Sequence, residues 1–450
     1  MRVMKFGGTS IKDSEAMKRV AEIIQSQFKF TPVIVLSAIA GVTNQLEDIA
    51  LSAKSGEIKK SENNLLHLKE IHVKIVQETL YNTEHYTNVI DLIEKYFREI
   101  ESLIKGVYLL SELTPKALAR ILSYGELLST TIFSSVLQVS GVDSILLDSR
   151  QLIKTDTNFL KAEPKIDKIK ELTKDKLLPI IEGGKVPVLQ GFIGSNDIGE
   201  TTVLGRGGSD YTASLVGLAI NAEVIEIWTD VDGMLTADPG IVEDTKLIEI
   251  ISFEEAAELS YFGAKVLHPL TIQPAVEKNI PVLIKNSLLP ERKGTKIVKM
   301  STQKSDSVKA IASKEKITVV NIFSTRMLNS YGFLRRIFEI FEKHKTSVDL
   351  IATSEVNVSL TLDDSSRLDD IVRDLSEFSI VNVENDKSLI CVVGSNIRNS
   401  KGIAGRIFNA LMDYNITMIS QGASLINISF VIDRAVLKTA MQKLHNIFFN

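Results

Sequence analysis

Four short segments of this chain combine glycine with lysine, arginine, hydroxyl or acidic residues, the mixture that chemistry on phosphate and carboxylate groups requires. In Lys5-Phe6-Gly7-Gly8-Thr9-Ser10 a lysine ends an apolar run and two glycines follow it. Paired glycines let the backbone approach a ligand closely, and a helix start beyond them offers free N–H groups to phosphate. Lys5 is placed to reach a phosphoryl group in transfer, although a Gly-Gly turn by itself is equally consistent with a plain tight connection. Ser37-Ala38-Ile39-Ala40-Gly41-Val42-Thr43 repeats the theme with Ser37, Gly41 and Thr43 as candidates, and in isolation it is just as open. Gly205-Arg206-Gly207-Gly208-Ser209-Asp210-Tyr211 is more specific. It joins glycines for close approach, an arginine able to grip a carboxylate through two hydrogen bonds, and an acid at a helix start. A flexible surface loop is its alternative reading. The acids of the fourth, Trp228-Thr229-Asp230-Val231-Asp232-Gly233-Met234-Leu235-Thr236-Ala237-Asp238-Pro239, lack the spacing of an EF-hand calcium loop, so a loop at a nucleotide's edge fits better.

Missing patterns narrow the chemistry. The chain has no P-loop, no protein-kinase catalytic loop and no His-Glu-x-x-His zinc helix. Its six histidines do not cluster, and a single cysteine excludes both an intramolecular disulfide and a cysteine zinc cage. Cys391, within Leu389-Ile390-Cys391-Val392-Val393, reads as an inert thiol in a buried strand. His268 reads as a helix-end residue, and Lys265 is the more interesting neighbour, with a solvated lysine as its alternative. A net charge of −4 with no dominant basic face argues against nucleic acid or an anionic membrane as partner. No apolar run approaches the roughly 20 residues of a bilayer span, and the first residues lack a signal-peptide pattern, so the expectation is a soluble cytoplasmic protein.

The elements that must position these residues follow from hydrophobic periodicity. At 450 residues the chain should form two or three domains. Compact apolar runs at Arg2–Phe6, Pro32–Ala38, Val186–Ile193, Glu223–Thr229 and Pro281–Ile284 read as parallel strands covered on both faces. Helical patterns lie between them, one capped by Asp13 or Ser14, another led by Thr114-Pro115. The charged stretch from Lys54 to Lys105 reads as a helical insertion without a turn-rich break. From Leu288 to Val308 the apolar periodicity gives way to Pro, Gly, Lys, Ser and Thr, which marks a domain boundary. Beyond it lies an internal repeat: Asn329–Phe338 aligns without gaps onto Asn399–Phe408, and the same register pairs Ser354 with Ser424 and Asn357 with Asn427. Each copy reads as strand, glycine-led helix, strand, strand, helix, strand, which suggests a sensor or dimerisation module.

Taken together, Lys-Phe-Gly-Gly-Thr-Ser at 5–10, Ser-Tyr-Gly-Glu at 123–126, Gly-Arg-Gly-Gly-Ser-Asp at 205–210, Trp-Thr-Asp-Val at 228–231 and Phe-Gly-Ala-Lys-Val-Leu-His-Pro at 262–269 resemble the amino acid kinase family. Within it they look most like the aspartokinases, of the monofunctional lysine-sensitive type, and the resemblance covers nearly the whole chain. It implies an α/β fold: an amino-acid-kinase sandwich with a largely parallel central sheet over residues 1–296, then two ferredoxin-like ACT regulatory domains at 308–390 and 391–450. The first ACT copy is often inserted within the second, so the strand near Val308–Phe323 would belong to the later copy. The implied reaction takes ATP, with Mg2+ on the nucleotide, and L-aspartate to ADP and 4-phospho-L-aspartate. By the family's pattern Lys5 would bridge the phosphoryl oxygens, Asp210 would orient Lys5, and Gly7, Gly8, Ser37, Thr229, Asp230 and Lys265 would hold the nucleotide. Thr43, Glu126, Phe192, Arg206 and Ser209 would form the aspartate pocket, and no protein-bound metal is implied. An amino-acid effector, lysine above all, would bind the first copy at Met327, Ser330, Phe333, Leu334, Val348, Asp349, Ser354 and Glu355. The second copy has Ile419 and Leu425 where the first has Asp349 and Glu355. A homodimer or tetramer built through these modules is expected.

Two positions depart from the pattern: Leu235 replaces an aromatic residue, and Gly240 replaces an arginine that would contact ATP, so nucleotide binding weaker than in a Gly240→Arg variant is expected. Two other readings fit parts of the pattern. One is a glutamate or acetylglutamate kinase of the same family; the other is an amino-acid sensor whose kinase site is inactive.

Overall fold

The computed structural model describes residues 1–263, 269–299, 308–328 and 331–450. Lys265, His268 and Ser330 lie outside the described residues. The chain gathers into two compact units, Met1–Gly233 with Val266–Met300, and Met234–Lys265 with Ser301–Asn450.

The first unit is built on β1 (Arg2–Phe6), β2 (Pro32–Leu36), β3 (Ser144–Leu147), β4 (Val186–Gln190), β5 (Val224–Thr229), β6 (Val282–Asn286) and β7 (Thr295–Val298). They run side by side in the order β3-β4-β2-β1-β5-β6-β7. All pairings are parallel except that of β7 with β6. Every residue of β2 is buried, as the Val/Ile/Leu run that follows Pro32 in the middle of a covered sheet must be. Lys5 lies on the central strand, registered between Val35 of β2 and Ile227 of β5. The five strands expected from sequence are all present. However, β4 stops at Gln190, because Phe192 adopts a left-handed backbone (φ 66°). Ile193 opens a separate hairpin, Ile193–Ser195 with Thr201–Val203. β3 and β7 are short and partly exposed, so their apolar signal is weak.

Asp13, not Ser14, caps the helix Ser14–Ser26, its Oδ1 accepting the Ala16 N–H at 2.8 Å. The charged insertion is helical, as expected, and consists of two helices, Ile58–Leu80 and Tyr86–Leu110. The chain turns between them at Asn82, another left-handed residue (φ 64°). Helix Pro115–Val139 is buried over most of its length, and Leu128, Ile132 and Phe133 reach into the core beside β1, β2 and β4. Thr114 caps it, and Pro115 occupies the first turn, where a missing N–H costs nothing.

The second unit carries an antiparallel sheet of β8 (Val308–Phe323), β9 (Ile351–Thr353), β10 (Asn357–Leu362), β11 (Ile380–Gly394), β12 (Ile416–Gln421) and β13 (Asn427–Asp433), ordered β9-β10-β8-β11-β13-β12. Helices Phe333–Lys343 and Ile403–Ala410 are each led by a glycine, Gly332 (φ 80°) and Gly402 (φ 82°), at matching positions of the repeat. One core holds Val320, Ile322, Ile337, Phe341 and Leu360. The other holds Val308, Ile311, Ile390, Ile407 and Phe430, together with Ala237 and Val242. The long strand β8 therefore supplies its first half to one core and its second half to the other. No helix among the described residues is long and apolar enough to cross a membrane.

Removing the Thr114 cap tests how the buried helix is held. Thr114→Ala loses the acceptor of the Ala117 N–H (3.1 Å) and should destabilise the first unit by about 1 kcal/mol, read as a lower urea midpoint at unchanged slope.

Candidate active site

The carboxyl ends of β1, β2, β4 and β5 open onto a cavity of about 830 Å³. Lys5, Gly7, Gly8, Ser37, Thr43, Glu126, Phe192, Arg206, Ser209, Asp210, Thr229 and Asp230 all line it. These are the described residues that the sequence pattern assigned to substrate and nucleotide. This is the edge where open α/β sheets bind ligands.

Close backbone contacts build the floor. A Cβ on Gly8 would lie 2.5 Å from the Ala38 carbonyl oxygen, so only glycine fits where the β1 and β2 turns meet. The Ala40 N–H then donates to the Gly8 carbonyl at 3.2 Å. On the other side Phe192 passes over the start of helix Gly208–Ala219, where a Cβ on Gly208 would meet its ring at 2.7 Å. The Thr212 hydroxyl accepts the Phe192 N–H at 3.0 Å and holds the left-handed turn.

Two helices begin at this cavity, Val42–Lys54 after Gly41 (φ 81°) and Gly208–Ala219 after Gly207 (φ 70°). Neither has a side-chain cap; the Val42 and Gly208 N–H groups turn back to the Ile39 and Gly205 carbonyls at 3.0 Å. The N–H groups that follow in each first turn are left for a ligand, and the helix dipoles favour an anion. Lys5 Nζ meets Asp210 Oδ1 at 2.6 Å, with both side chains nearly buried. Asp210 sits in the first turn of its helix, where an acid is itself favoured. Arg206 is exposed at the rim, and Thr229 donates to Asp230 at 3.1 Å at the end of β5.

Glu126 is the electrostatic exception. It is 3% exposed on the buried helix Pro115–Val139. Its Oε1 accepts the Ala38 N–H at 3.1 Å, and its Oε2 is buried without a hydrogen-bond partner. Burial pushes its carboxyl up to about 8; the Ala38 N–H and the Lys5 charge pull the other way without cancelling it. The site thus offers a buried acid in want of a donor beside anion-seeking helix ends.

Several supporting residues carried no recognisable sequence signal. Asn44 and Glu47, on the helix after Gly41, line the mouth, and Leu118, Leu122, Leu160 and Val203 form an apolar wall. Ser129 anchors the Ser37 carbonyl at 2.8 Å. Gln190, at the end of β4, bonds both Thr130 (3.0 Å) and the Ser149 N–H (2.8 Å). Only the first part of the Trp228–Pro239 segment lines the cavity; Ala237 packs in the core of the second unit, and Thr236 bonds His445 at 2.9 Å there. No group of three or more acids, histidines or cysteines able to hold a metal occurs among the described residues.

The predicted effector residues lie in the second unit. Met327, Phe333 and Val348 pack against the first core, while Leu334, Ser354 and Glu355 are exposed. Asp349 has a nearly buried side chain, 2% exposed. Cys391 is fully buried, and burial raises its thiol, so it forms part of the core.

Residues 1–286 match the amino acid kinase family as a whole, and residues 390–448 match the ACT domain. The chain belongs to the amino acid kinase family, in its aspartokinase branch. It is 38% identical to lysine-sensitive aspartokinase 3 of Escherichia coli over 99% of both chains. It is also 38% identical to the chloroplastic aspartokinase 1 of Arabidopsis thaliana, over 99% of this chain and 80% of that one. Among solved structures it resembles E. coli aspartokinase III in complex with aspartate and ADP, at 37% identity and a TM-score of 0.86 over the full length of both. Clostridium acetobutylicum aspartate kinase is similar at 30% identity and a TM-score of 0.83. This amino acid kinase therefore has relatives with the same two-unit chain from end to end.

The raised Glu126 carboxyl carries a stability signature. Its folded-state value lies above the unfolded one, so between about pH 4.5 and 8 the folded state binds more protons than the unfolded. Stability from this group is then greatest in acid and falls as pH rises to about 8. Glu126→Gln should remove that dependence, so the stability advantage of the variant over the parent grows from pH 5 to 8 and levels off above. Thermal unfolding across that range, without ligands, measures it; parallel curves would refute it.

Proposed function

We propose that this kinase transfers the γ-phosphoryl group of MgATP to the side-chain carboxylate of L-aspartate, giving ADP and 4-phospho-L-aspartate. The observation that carries the reading is the single cavity in which the Lys5–Asp210 pair lies with Arg206, Glu126 and two uncapped helix ends. The likeness to an aspartokinase solved with aspartate and ADP supports it.

In this reading the aspartate ammonium supplies the donor that Glu126 Oε2 lacks, and Arg206 takes the α-carboxylate. Thr43, Phe192 and Ser209 complete the pocket and leave the side-chain carboxylate facing the nucleotide. Gly7, Gly8 and Ser37 present backbone groups to the phosphates, and Thr229, Asp230 and Lys265 hold the nucleotide. A carboxylate oxygen attacks the γ-phosphorus as the bond to the ADP oxygen breaks. The nucleophile is already ionised at neutral pH, so no general base is needed, and catalysis rests on positioning and charge neutralisation. Lys5, oriented by Asp210, bridges the donor and acceptor oxygens. Magnesium arrives with the nucleotide as part of the substrate.

The acyl phosphate opens the aspartate-derived route to lysine, threonine and methionine. Feedback by lysine fits the sequence of the first ACT copy, at Met327, Ser330, Phe333, Leu334, Val348, Asp349, Ser354 and Glu355. An E. coli relative has been solved in complex with lysine and aspartate, with a TM-score of 0.85 to this chain. We place the enzyme in the cytoplasm as a homo-oligomer joined through its C-terminal modules, with the kinase domain over 1–296 and the ACT copies at 308–390 and 391–450.

Hydroxylamine trapping with ATP, Mg2+ and L-aspartate tests the reaction. Hydroxamate should form with aspartate and not with glutamate; no trapped product would sink the reading. Lys5→Met should lower kcat at least ~100-fold, the scale of losing a transition-state charge stabiliser. Arg206→Lys should act mainly on KM for aspartate, because a single ammonium cannot reproduce the two-pronged grip.

A further inference from the structure

The strand β8 changes its pairing register with β11 between Lys314 and Ile317, where the chain passes from one core to the other. At that point Lys314 turns its ammonium into a small charged cluster. Its Nζ lies 3.3 Å from Asp349 Oδ1 and 3.0 Å from Asp363 Oδ2, and 4.1 Å above the centre of the Tyr261 ring. The Tyr261 hydroxyl donates to the same Asp349 Oδ1 at 2.5 Å. Burial and the adjacent Asp349 carboxylate raise the Tyr261 phenol above its usual value, so it stays a donor at neutral pH. The other oxygen, Asp349 Oδ2, is buried and has no hydrogen-bond partner.

A buried carboxylate oxygen left in that state is unfavourable unless a donor reaches it. One oxygen is fully engaged by this chain; the second fits a cation from outside. We infer that Tyr261 and Lys314 are positioning residues of the effector site, clamping Asp349 by Oδ1 so that Oδ2 is held ready for the ammonium of an amino-acid effector. The inference rests on the effector reading of Asp349 given above, and adds to it two residues that do not touch the effector.

The clamp also gives the bound charge a route outward. Tyr261 ends the helix Phe253–Tyr261. On the same helix Glu255 accepts from the Ser395 hydroxyl at 2.7 Å, and Glu258 accepts from the Asn427 amide at 2.8 Å. One short helix is thus tied to Asp349 of the first copy and to Ser395 and Asn427 of the second. An ammonium arriving at Oδ2 draws charge away from the Tyr261 and Lys314 bonds and changes the hold on that helix.

The test is the L-lysine concentration that half-inhibits the full-length enzyme in the hydroxamate assay, with lysine binding followed by calorimetry. Tyr261→Phe and Lys314→Met should each raise that concentration about tenfold, the loss of one hydrogen bond to a charged group. Both should leave kcat and KM for aspartate without lysine unchanged. Lys314→Arg should keep most of the inhibition, which a packing role for the stem alone would not distinguish from Lys314→Met. Glu355→Lys serves as the control for the effector reading. If Glu355→Lys relieves inhibition while Tyr261→Phe and Lys314→Met do not, the clamp is wrong and the effector site stands. If the parent enzyme ignores lysine, or Glu355→Lys leaves inhibition intact, the effector reading falls and the clamp with it. Lys314→Arg behaving like Lys314→Met would overturn the charge-based role.

Discussion

A lysine on the central strand of a covered parallel sheet is tolerable only if an acid meets it. Lys5 lies between Val35 and Ile227, and Asp210 meets it at 2.6 Å. Breaking such a pair by removing one partner strands a buried charge, at a cost of about 3–5 kcal/mol. That requirement sets much of the surrounding architecture. Helix Gly208–Ala219 must start beside the end of β1 to deliver Asp210 from its first turn. The turn at Phe192 must then fold over that helix start, which it does through a left-handed backbone and a side-chain-free Gly208. Strained conformations of this kind persist where the neighbours over-determine them, here through the Thr212 hydroxyl on the Phe192 N–H.

Glu126 shows the opposite arrangement in the same cavity. Asp210 has its cation within the protein, so the pair is nearly neutral before anything binds. Glu126 has one backbone donor and no cation, and burial holds its carboxyl near 8. An ordinary structural acid would have been given a partner or moved to the surface. A group kept buried with a vacant oxygen suits a site whose partner is the substrate. In the proposed reaction the two acids divide the work: Asp210 holds Lys5 in place, and Glu126 is available to recognise an ammonium. With Arg206 at the rim, the cavity complements an amino acid that carries a second carboxylate.

The parts of the site that lie on strand ends and glycine turns were readable from sequence, because those positions combine an apolar run with residues that only backbone approach or charge explains. Lys5, Gly8, Arg206 and Asp210 belong to this group, and all four line the cavity. The glycine-led helices of the repeat were readable for the same reason, since Gly332 and Gly402 both need positive φ. Ser129, Gln190 and Thr212 were not, because a buried hydroxyl or amide becomes informative only once its partner is known, and those partners are 20 to 92 residues away in sequence. The break between Ile58–Leu80 and Tyr86–Leu110 was hidden because Tyr81-Asn82-Thr83-Glu84-His85 contains neither glycine nor proline. The end of β4 was missed because a left-handed phenylalanine is a tertiary choice, stabilised by contacts and contrary to its own propensity.

The tail raises a different point about what a repeat can do. Two independent copies would fold and titrate separately, but here β8 and β11 each run through both halves of one sheet. A shift of either strand is felt in both cores, because close-packed interiors pass displacement on instead of absorbing it. The copies nevertheless differ where an effector would bind, with Asp349 and Glu355 in one and Ile419 and Leu425 in the other. Such a sheet can receive a charge signal at one end and express it as a packing change at the other. The second core also contains Ala237 and Val242, a few residues along the chain from Thr229 and Asp230 at the cavity. In the effector reading proposed above, sharing strands lets one copy specialise in sensing while the other holds Ala237 and Val242 in its core.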